Sequence, residues 1–453
     1  MKQKKTQLVA RVTRGKTDSV LAYCLGGLCL FICIIIFMFS ARSADAKAIP
    51  DDQKSYKYIH FLELMLAEIS LNRHYWPEAV ALYLRLADET DDDIIKANAM
   101  ELSFALGLKE KAKPIIIQWN QEKPTSVLAK IYLAKLYLFE KKYLEAENLL
   151  YQIDISDQSQ EQLKYEVIFL KGLLAFDLRL NHKAMTYFKQ LITHSEYKNN
   201  AAIFIAKLYL MDAKIDEAII YYKKVKDGAL FYNAQLALMM LYVHIKNPQQ
   251  ALLIVSNILP YVDNQPYRKR FLYIKGTLEL VLSRHELAIL TFEEGINAFP
   301  TNANFYYLRG LSYLRVGNYK QAQLDMQSTL ELEPDHPEAL SALGFILAED
   351  TDYDRSYEIL KKAQKLAPKT PQVLDSLGWL MYKQGNHKQA LIYLEEAYDL
   401  LPYGVVAYHY AGVLEANGQK EKAQVVVEKI QDDKENGYDI QQLIQHYRGK
   451  WND

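Results

Sequence analysis

Asn304-Phe305-Tyr306-Tyr307-Leu308-Arg309-Gly310-Leu311-Ser312-Tyr313, followed by Gly317, Ala322 and Pro334, is the stretch that decides the fold. It reads as helix, short turn, helix. Gly310 falls in the middle of the first helix, where glycine costs about 1 kcal/mol relative to alanine. It is tolerated where a second helix must approach closely, and Ala322 is the small residue expected to face it. Gly317 ends the first helix, in the left-handed conformation that glycine adopts most cheaply. Tyr319 is expected to pack over the turn. Pro334 stops the second helix and resets the chain.

The same set recurs on both sides. Downstream come Gly344, Leu347 and Pro368, then Gly378, Met381, Gly385, Ala390 and Pro402, then Ala411, Gly418 and Ala423. Upstream the alanine keeps the stride, at Ala79, Ala112, Ala146, Ala184, Ala218, Ala251 and Ala288, with Pro124 and Pro300 in phase, and Ser356 fills the one gap in the series. Successive spacings are 33, 34, 38, 34, 33, 37, 34, 34, 34 and 33 residues. A period near 34 residues is the mark of a stacked helix-turn-helix array. Such a chain grows by stacking, so its length does not count globular domains. The two long strides place extra residues near Asp154–Gln162 and Pro260–Arg268, expected as longer loops between units. They suggest blocks 58–158, 159–264 and 265–431 within an array 58–431, although loop insertions are tolerated cheaply without dividing anything.

These residues resemble the tetratricopeptide repeat, whose pattern runs L-G-x-x-Y, a turn glycine, A, F and P. The resemblance covers eleven units from near Tyr58 to near Gln431 and is strongest from Thr301 to Pro402. It implies an all-α, right-handed superhelical solenoid. It also implies a concave groove lined by the first helix of each unit. Carried onto this chain, the groove positions are Tyr307, Leu311, Arg315, Phe345, Asp375, Trp379, Tyr382, Lys383 and Tyr408. Tyrosine, tryptophan and arginine are the residues that dominate binding hot spots; the same stripe could instead pack against neighbouring units. Some family members hold peptide C-termini with lysine and asparagine pairs on that face. Here the places hold Lys135, Leu173, Lys207, Met240, Leu311, Phe345 and Trp379. The asparagine half is missing, which disfavours that ligand and points to an apolar or extended peptide.

The first residues are a different material. Residues 1–19 are basic, with Lys2, Lys4, Lys5, Arg11, Arg14 and Lys16, and no charge occurs from Ser19 to Ala41. Val20 to Phe39 would span roughly 30 Å as a helix, about one hydrocarbon thickness. Segment 20–41 therefore reads as a transmembrane signal-anchor, single-pass in a bacterial inner membrane with the array facing the periplasm. The alternative is a signal peptide cleaved after Ala46, at Ala44-Asp45-Ala46, leaving a periplasmic protein. Residues 42–57 read as a polar linker in which Pro50, Asp51 and Asp52 block early helix. Residues 432–453 read as a tail whose stretch Tyr438 to Tyr447 forms a capping helix. All three cysteines, Cys24, Cys29 and Cys33, fall inside the apolar segment. The rest of the chain therefore has no disulfide and no thiolate metal site.

Composition excludes several functions. The 453 residues carry a formal charge of −1, against the basic face that nucleic-acid binding needs. No G-x-S-x-G, H-E-x-x-H or phosphate-binding glycine loop is present. His285 and His387 fall in the phase of the turn tyrosine and read as packing residues. Asp350, Asp352 and Asp354 resemble a calcium loop, but Arg355 and Lys361 stand where glycine and glutamate are needed. Asp91–Asp93 reads as a solvated cap for the following helix. No catalytic residue, cofactor, metal site or small-molecule substrate is expected. Asp375-Ser376-Leu377-Gly378-Trp379, with Tyr382 and Gly385, resembles exported bacterial repeat adaptors, some of which bring envelope proteases to their substrates. The expected function is a non-enzymatic adaptor or scaffold of the cell envelope; the alternative is a structural component of a secretion or exopolysaccharide-export machine.

Overall fold

The structure is a computed structural model that describes residues 51–154 and 161–432. The segment 20–41 and the stretch Tyr438–Tyr447 lie outside the described residues. Among the described residues every element is helical, and no helix is long and apolar enough to cross a membrane. The chain divides into two compact units, up to Ala234 and from Gln235 onward.

The first unit contains α1 (Asp51–Asn72), α2 (Trp76–Glu89), α3 (Asp93–Ala105), α4 (Lys109–Glu122), α5 (Val127–Phe139), α6 (Tyr143–Tyr151), α7 (Glu161–Asp177), α8 (Asn181–Leu191), α9 (Lys198–Met211) and α10 (Ile215–Lys223). The division falls inside α11 (Phe231–His244). The second unit continues with α12 (Pro248–Ile258), α13 (Gln265–Val281), α14 (His285–Ala298), α15 (Ala303–Arg315), α16 (Tyr319–Leu332), α17 (Pro337–Glu349), α18 (Tyr353–Leu366), α19 (Pro371–Lys383), α20 (His387–Leu400), α21 (Gly404–Ala416) and α22 (Lys420–Asp432). Taken in pairs, these are the eleven units of the stride, with an odd-numbered helix first in each. All ten stride alanines and Ser356 are completely buried. Ser356 fits the alanine place because its hydroxyl donates to the Gly344 carbonyl at 2.7 Å, so the buried polar atom is satisfied.

The turn between paired helices is more uniform than the glycines suggest. Five residues before every stride residue the backbone φ is positive. Gly107, Gly317, Gly385 and Gly418 hold that place in four units; His74, Lys141, Arg179, Ala213, Lys246, Ser283 and Thr351 hold it in the others. In the unit after Gly310, the Gly317 amide donates to the Leu314 carbonyl at 3.1 Å and the Asn318 amide to Tyr313 at 2.9 Å. This paired return of two amides satisfies the last carbonyls of the helix. Prolines 334, 368 and 402 follow the ends of α16, α18 and α20, as expected.

The mid-helix glycines have a different counterpart from the one expected. A Cβ on Gly344 would fall 2.4 Å from Leu360 Cγ, and one on Gly378 would fall 2.5 Å from Leu394 Cγ. Gly172 and Gly276 meet Phe188 and Phe292 in the same way. The partner is thus the large side chain one turn beyond the stride residue. The alanine itself lets the two backbones close, and the glycine admits the bulky residue that follows it.

Two boundaries differ from the sequence reading. α1 begins at Asp51, inside the expected linker. The expected loop Pro260–Arg268 shrinks to Val262–Asn264. Leu259–Tyr261 forms a 3₁₀ turn, and Asn264 caps α13, with Pro266 in the first turn where its missing amide is not needed. In the other long stride, α7 already includes Glu161 and Gln162. The aspartate run divides its work: Asp92 caps α3. Asp93 accepts from Trp119 Nε1 at 3.0 Å, Lys123 Nζ at 2.9 Å and Ser126 Oγ at 2.8 Å, tying α3 to the end of α4 and to the start of the next pair.

Candidate functional site

The expected groove residues of the second unit converge on one aromatic cluster. Trp379 on α19 lies nearly parallel to His409 on α21, with ring centroids 4.0 Å apart. Tyr382 stacks on Trp379 at 5.1 Å, Phe345 on His409 at 5.9 Å, and Tyr408 tilts against His409 at 5.8 Å. Helix periodicity explains the assembly, because stacked first helices bring equivalent positions of successive units side by side.

Two carboxylates organise this cluster. Asp375, 7 % exposed, contacts His409 Nδ1 with both oxygens at 2.9 and 3.0 Å. Glu349 accepts from Trp379 Nε1 at 2.6 Å and pairs with Lys383 at 3.3 Å. The Tyr408 hydroxyl is held above its ordinary pKa by burial first and then by Tyr382 and Glu349. Tyr319 is raised by burial and by Glu349, with Lys383 opposing. Glu349 and His409 were not legible as site residues. Glu349 left one usable signal: it stands thirty-four residues before Lys383, so opposite charges occupy the same place in adjacent units.

The remaining expected positions are placed as follows. Tyr307 and Leu311 pack half-buried against the core of Met326, Leu343 and Leu347, which Phe345 also joins. Tyr307 lies 4.9 Å from His336. Arg315 is exposed at the end of α15. Beneath the row, Arg309 donates from Nε and Nη2 to Asp325 at 2.9 and 2.7 Å, locking α15 to α16. His387 is half-buried 5.4 Å from Tyr382, the packing place expected for it. Asp352 of the calcium-like run caps α18.

In the first unit, Lys135 occupies the position at which some relatives hold a peptide carboxylate. It is already engaged by Glu101 and Glu166, each at 2.5 Å, and Tyr132 donates to Glu101 at 3.1 Å. Burial would lower the lysine pKa, but the two glutamates outweigh it and the net shift is upward. The chain fills this lysine with its own carboxylates.

Chemically, these side chains pair donors with acceptors and stack rings. Among the described residues no group of three metal-ligating side chains comes together. Residues 269–435 match the model of the tetratricopeptide repeat family. With the register above, that stretch is a tetratricopeptide-repeat region. No curated protein matches the chain. Among solved structures it is similar to a tetratricopeptide repeat protein from Parabacteroides merdae, 18 % identical over 55 % of this chain and 97 % of that one, with a TM-score of 0.47. It is also similar to MamA from Desulfovibrio magneticus, 22 % identical over 37 % and 94 % of the two chains, TM-score 0.33. A third is YrrB, described as having an unusual peptide-binding site, 19 % identical over 49 % and 96 %, TM-score 0.27.

Proposed function

We propose that this chain is a non-enzymatic scaffold of the bacterial cell envelope that docks partner segments on the first-helix face of its second unit. Tetratricopeptide repeats as a class mediate protein–protein interaction. The observation that carries the reading is the cluster itself. Its polar groups are bonded internally, Glu349 with Lys383 and Asp375 with His409, while Phe345, Trp379, Tyr382 and Tyr408 stay only half-buried. Half-wet rings among hydrogen-bonded polar groups suit contact with an apolar segment, because aromatic faces add area at little entropic cost.

The uncharged run 20–41 supports membrane attachment with the array in the periplasm, a protease and its substrates being the partners in this reading. Photo-crosslinkers placed at Tyr382 and, as a control, at Lys320 on α16 test the scaffold. A specific adduct at Tyr382 alone supports it, and adducts at neither or both refute it. Reporter fusions after residue 46 test the topology: a fusion active only in the cytoplasm would overturn the envelope placement.

A further inference from the structure

α13 carries a stripe that the sequence reading passed over. Arg270, Tyr273, Thr277 and Val281 fall at i, i+3, i+7 and i+11, which is one helical face. Tyr273, Thr277 and Val281 stand thirty-four residues before Tyr307, Leu311 and Arg315, so they hold the same row one unit earlier. That row is partly covered further along, where Trp379 is stacked and its N–H is bonded. On α13 it is open. Tyr273 is 43 % exposed and Val281 52 %, and Met240, which holds the Thr277 position on α11, is 65 % exposed. Thr277 donates its hydroxyl to the Tyr273 carbonyl at 2.8 Å, so the polar atom in the middle of the row is already satisfied.

The charge on α13 is one-sided, and Arg270 is the charged member of the stripe. α13 contains Arg268, Lys269, Arg270 and Lys275 but only one acid, Glu279. Arg268 is taken by Glu294, and Lys275 by Glu279 at 3.1 Å. Arg270 is exposed and has no ion pair among the described residues. A guanidinium presents a flat, two-pronged donor that suits a carboxylate.

Resting on the scaffold reading above, we propose that this stripe docks an extended partner segment in which an aspartate or glutamate side chain lies beside apolar side chains. Arg270 takes the carboxylate, and Tyr273 and Val281 take the apolar groups. From Arg270 to Val281 the helix rises roughly 16 Å. That is the reach of about five extended residues.

The test is fluorescence anisotropy of the full chain with a labelled, C-terminally amidated peptide of about ten residues in which aspartate and leucine alternate along one face of the extended chain, with serine between them, long enough to cover the stripe. Companion peptides carry lysine for aspartate or serine for leucine. The aspartate–leucine peptide should bind best. Arg270→Glu and Tyr273→Ala should each weaken it roughly tenfold or more. Arg270→Glu should also improve binding of the lysine–leucine peptide, a gain that mere loss of folding cannot produce. Equal binding of the acidic and basic peptides by the wild-type chain overturns the proposal, as does unchanged binding by either variant. Binding only when the peptide terminus is free assigns the carboxylate to the terminus and overturns the side-chain claim. If binding is lost with Phe345→Ala but not with Tyr273→Ala, the α13 assignment falls and the scaffold reading stands. If no peptide binds at all, the α13 proposal falls, and the crosslinks at Tyr382 decide the scaffold reading by themselves.

Discussion

Trp379 rests face-on against His409 at 4.0 Å, and its indole N–H is spent on Glu349 at 2.6 Å. A ring held on one face and at its polar edge supports the stack as well as presenting itself to a partner. Trp379→Ala should therefore lower stability by about 2–3 kcal/mol, somewhat under the loss for a fully buried tryptophan. It should also weaken partner capture. Chemical denaturation read beside binding separates the two effects. An unchanged denaturation midpoint would show that the stack contributes nothing to the fold.

His409→Leu tests the dyad beneath that ring. It would leave the buried Asp375 carboxylate without its partner, at a cost of about 1–3 kcal/mol. The double variant Asp375→Leu/His409→Leu should recover part of that loss, because removing both partners leaves no orphaned group. Denaturation midpoints of the two singles and the double give the coupling directly; strict additivity would mean the contact is incidental.

The glycines divide into two kinds, and one pair distinguishes them. Gly378→Ala puts a methyl 2.5 Å from Leu394 Cγ and should cost about 1–3 kcal/mol by overpacking. Gly385→Ala meets no atom within 4 Å but must hold φ at +77°. Its cost should be about 1–2 kcal/mol, all of it backbone. Adding Leu394→Val should rescue part of the first loss and none of the second. Rescue of both or of neither would contradict this division.

The stride was readable because one backbone contact repeats with one residue type: a buried alanine tolerates no substitute larger than Ser356. The turn was readable only in part. Positive φ is set by the paired amide returns, and the helix geometry imposes it on His74 or Lys141 as firmly as on Gly317, so residue identity alone underreports it. Phase alone put Phe345, Trp379 and Tyr382 on one row, and their rings do gather in one cluster. What covers a ring was not legible. Glu349 and His409 act across units, where the pairing depends on how successive helices stack and not on any local pattern. Arg270 and Tyr273 were missed for the opposite reason: nothing local marks an exposed stripe until the burial of its neighbours is known.

Thr351 tests the claim that geometry sets the turn. It is β-branched and sits at φ +65°, where its side chain crowds the backbone. Thr351→Gly should relieve about 1–2 kcal/mol of that strain. The greater freedom of glycine in the unfolded chain takes back part of it. The net expectation is a stabilisation of about 0.5–1 kcal/mol, read as a rise in the denaturation midpoint. A fall would mean that the threonine side chain contributes a contact that outweighs its strain.

Acid should loosen the first unit through two carboxylates that behave differently. Burial alone would raise the Asp93 pKa, but the bonds from Lys123, Ser126 and Trp119 outweigh it and hold it below the ordinary value. Glu140 is lowered to about 2 by Lys113 and Lys142, with bonds of 2.6 and 2.7 Å. A carboxylate depressed in the folded state contributes stability that is fully present above its unfolded pKa, about 3.9 for aspartate and 4.3 for glutamate. That contribution is lost as pH falls through the lower folded value. Thermal melting of the first unit should thus decline as pH drops below about 4. Asp93→Asn should flatten that decline while lowering the midpoint near neutrality. The Glu140 share rests on two lysines whose side chains are open to solvent and should vanish in about 1 M salt, where the screening length shrinks to about 3 Å. The Asp93 share, bonded to an indole and a hydroxyl as well as a cation, should survive it. A decline that disappears entirely in salt would show that Asp93 holds α3 by charge alone and that the Trp119 and Ser126 bonds are passengers.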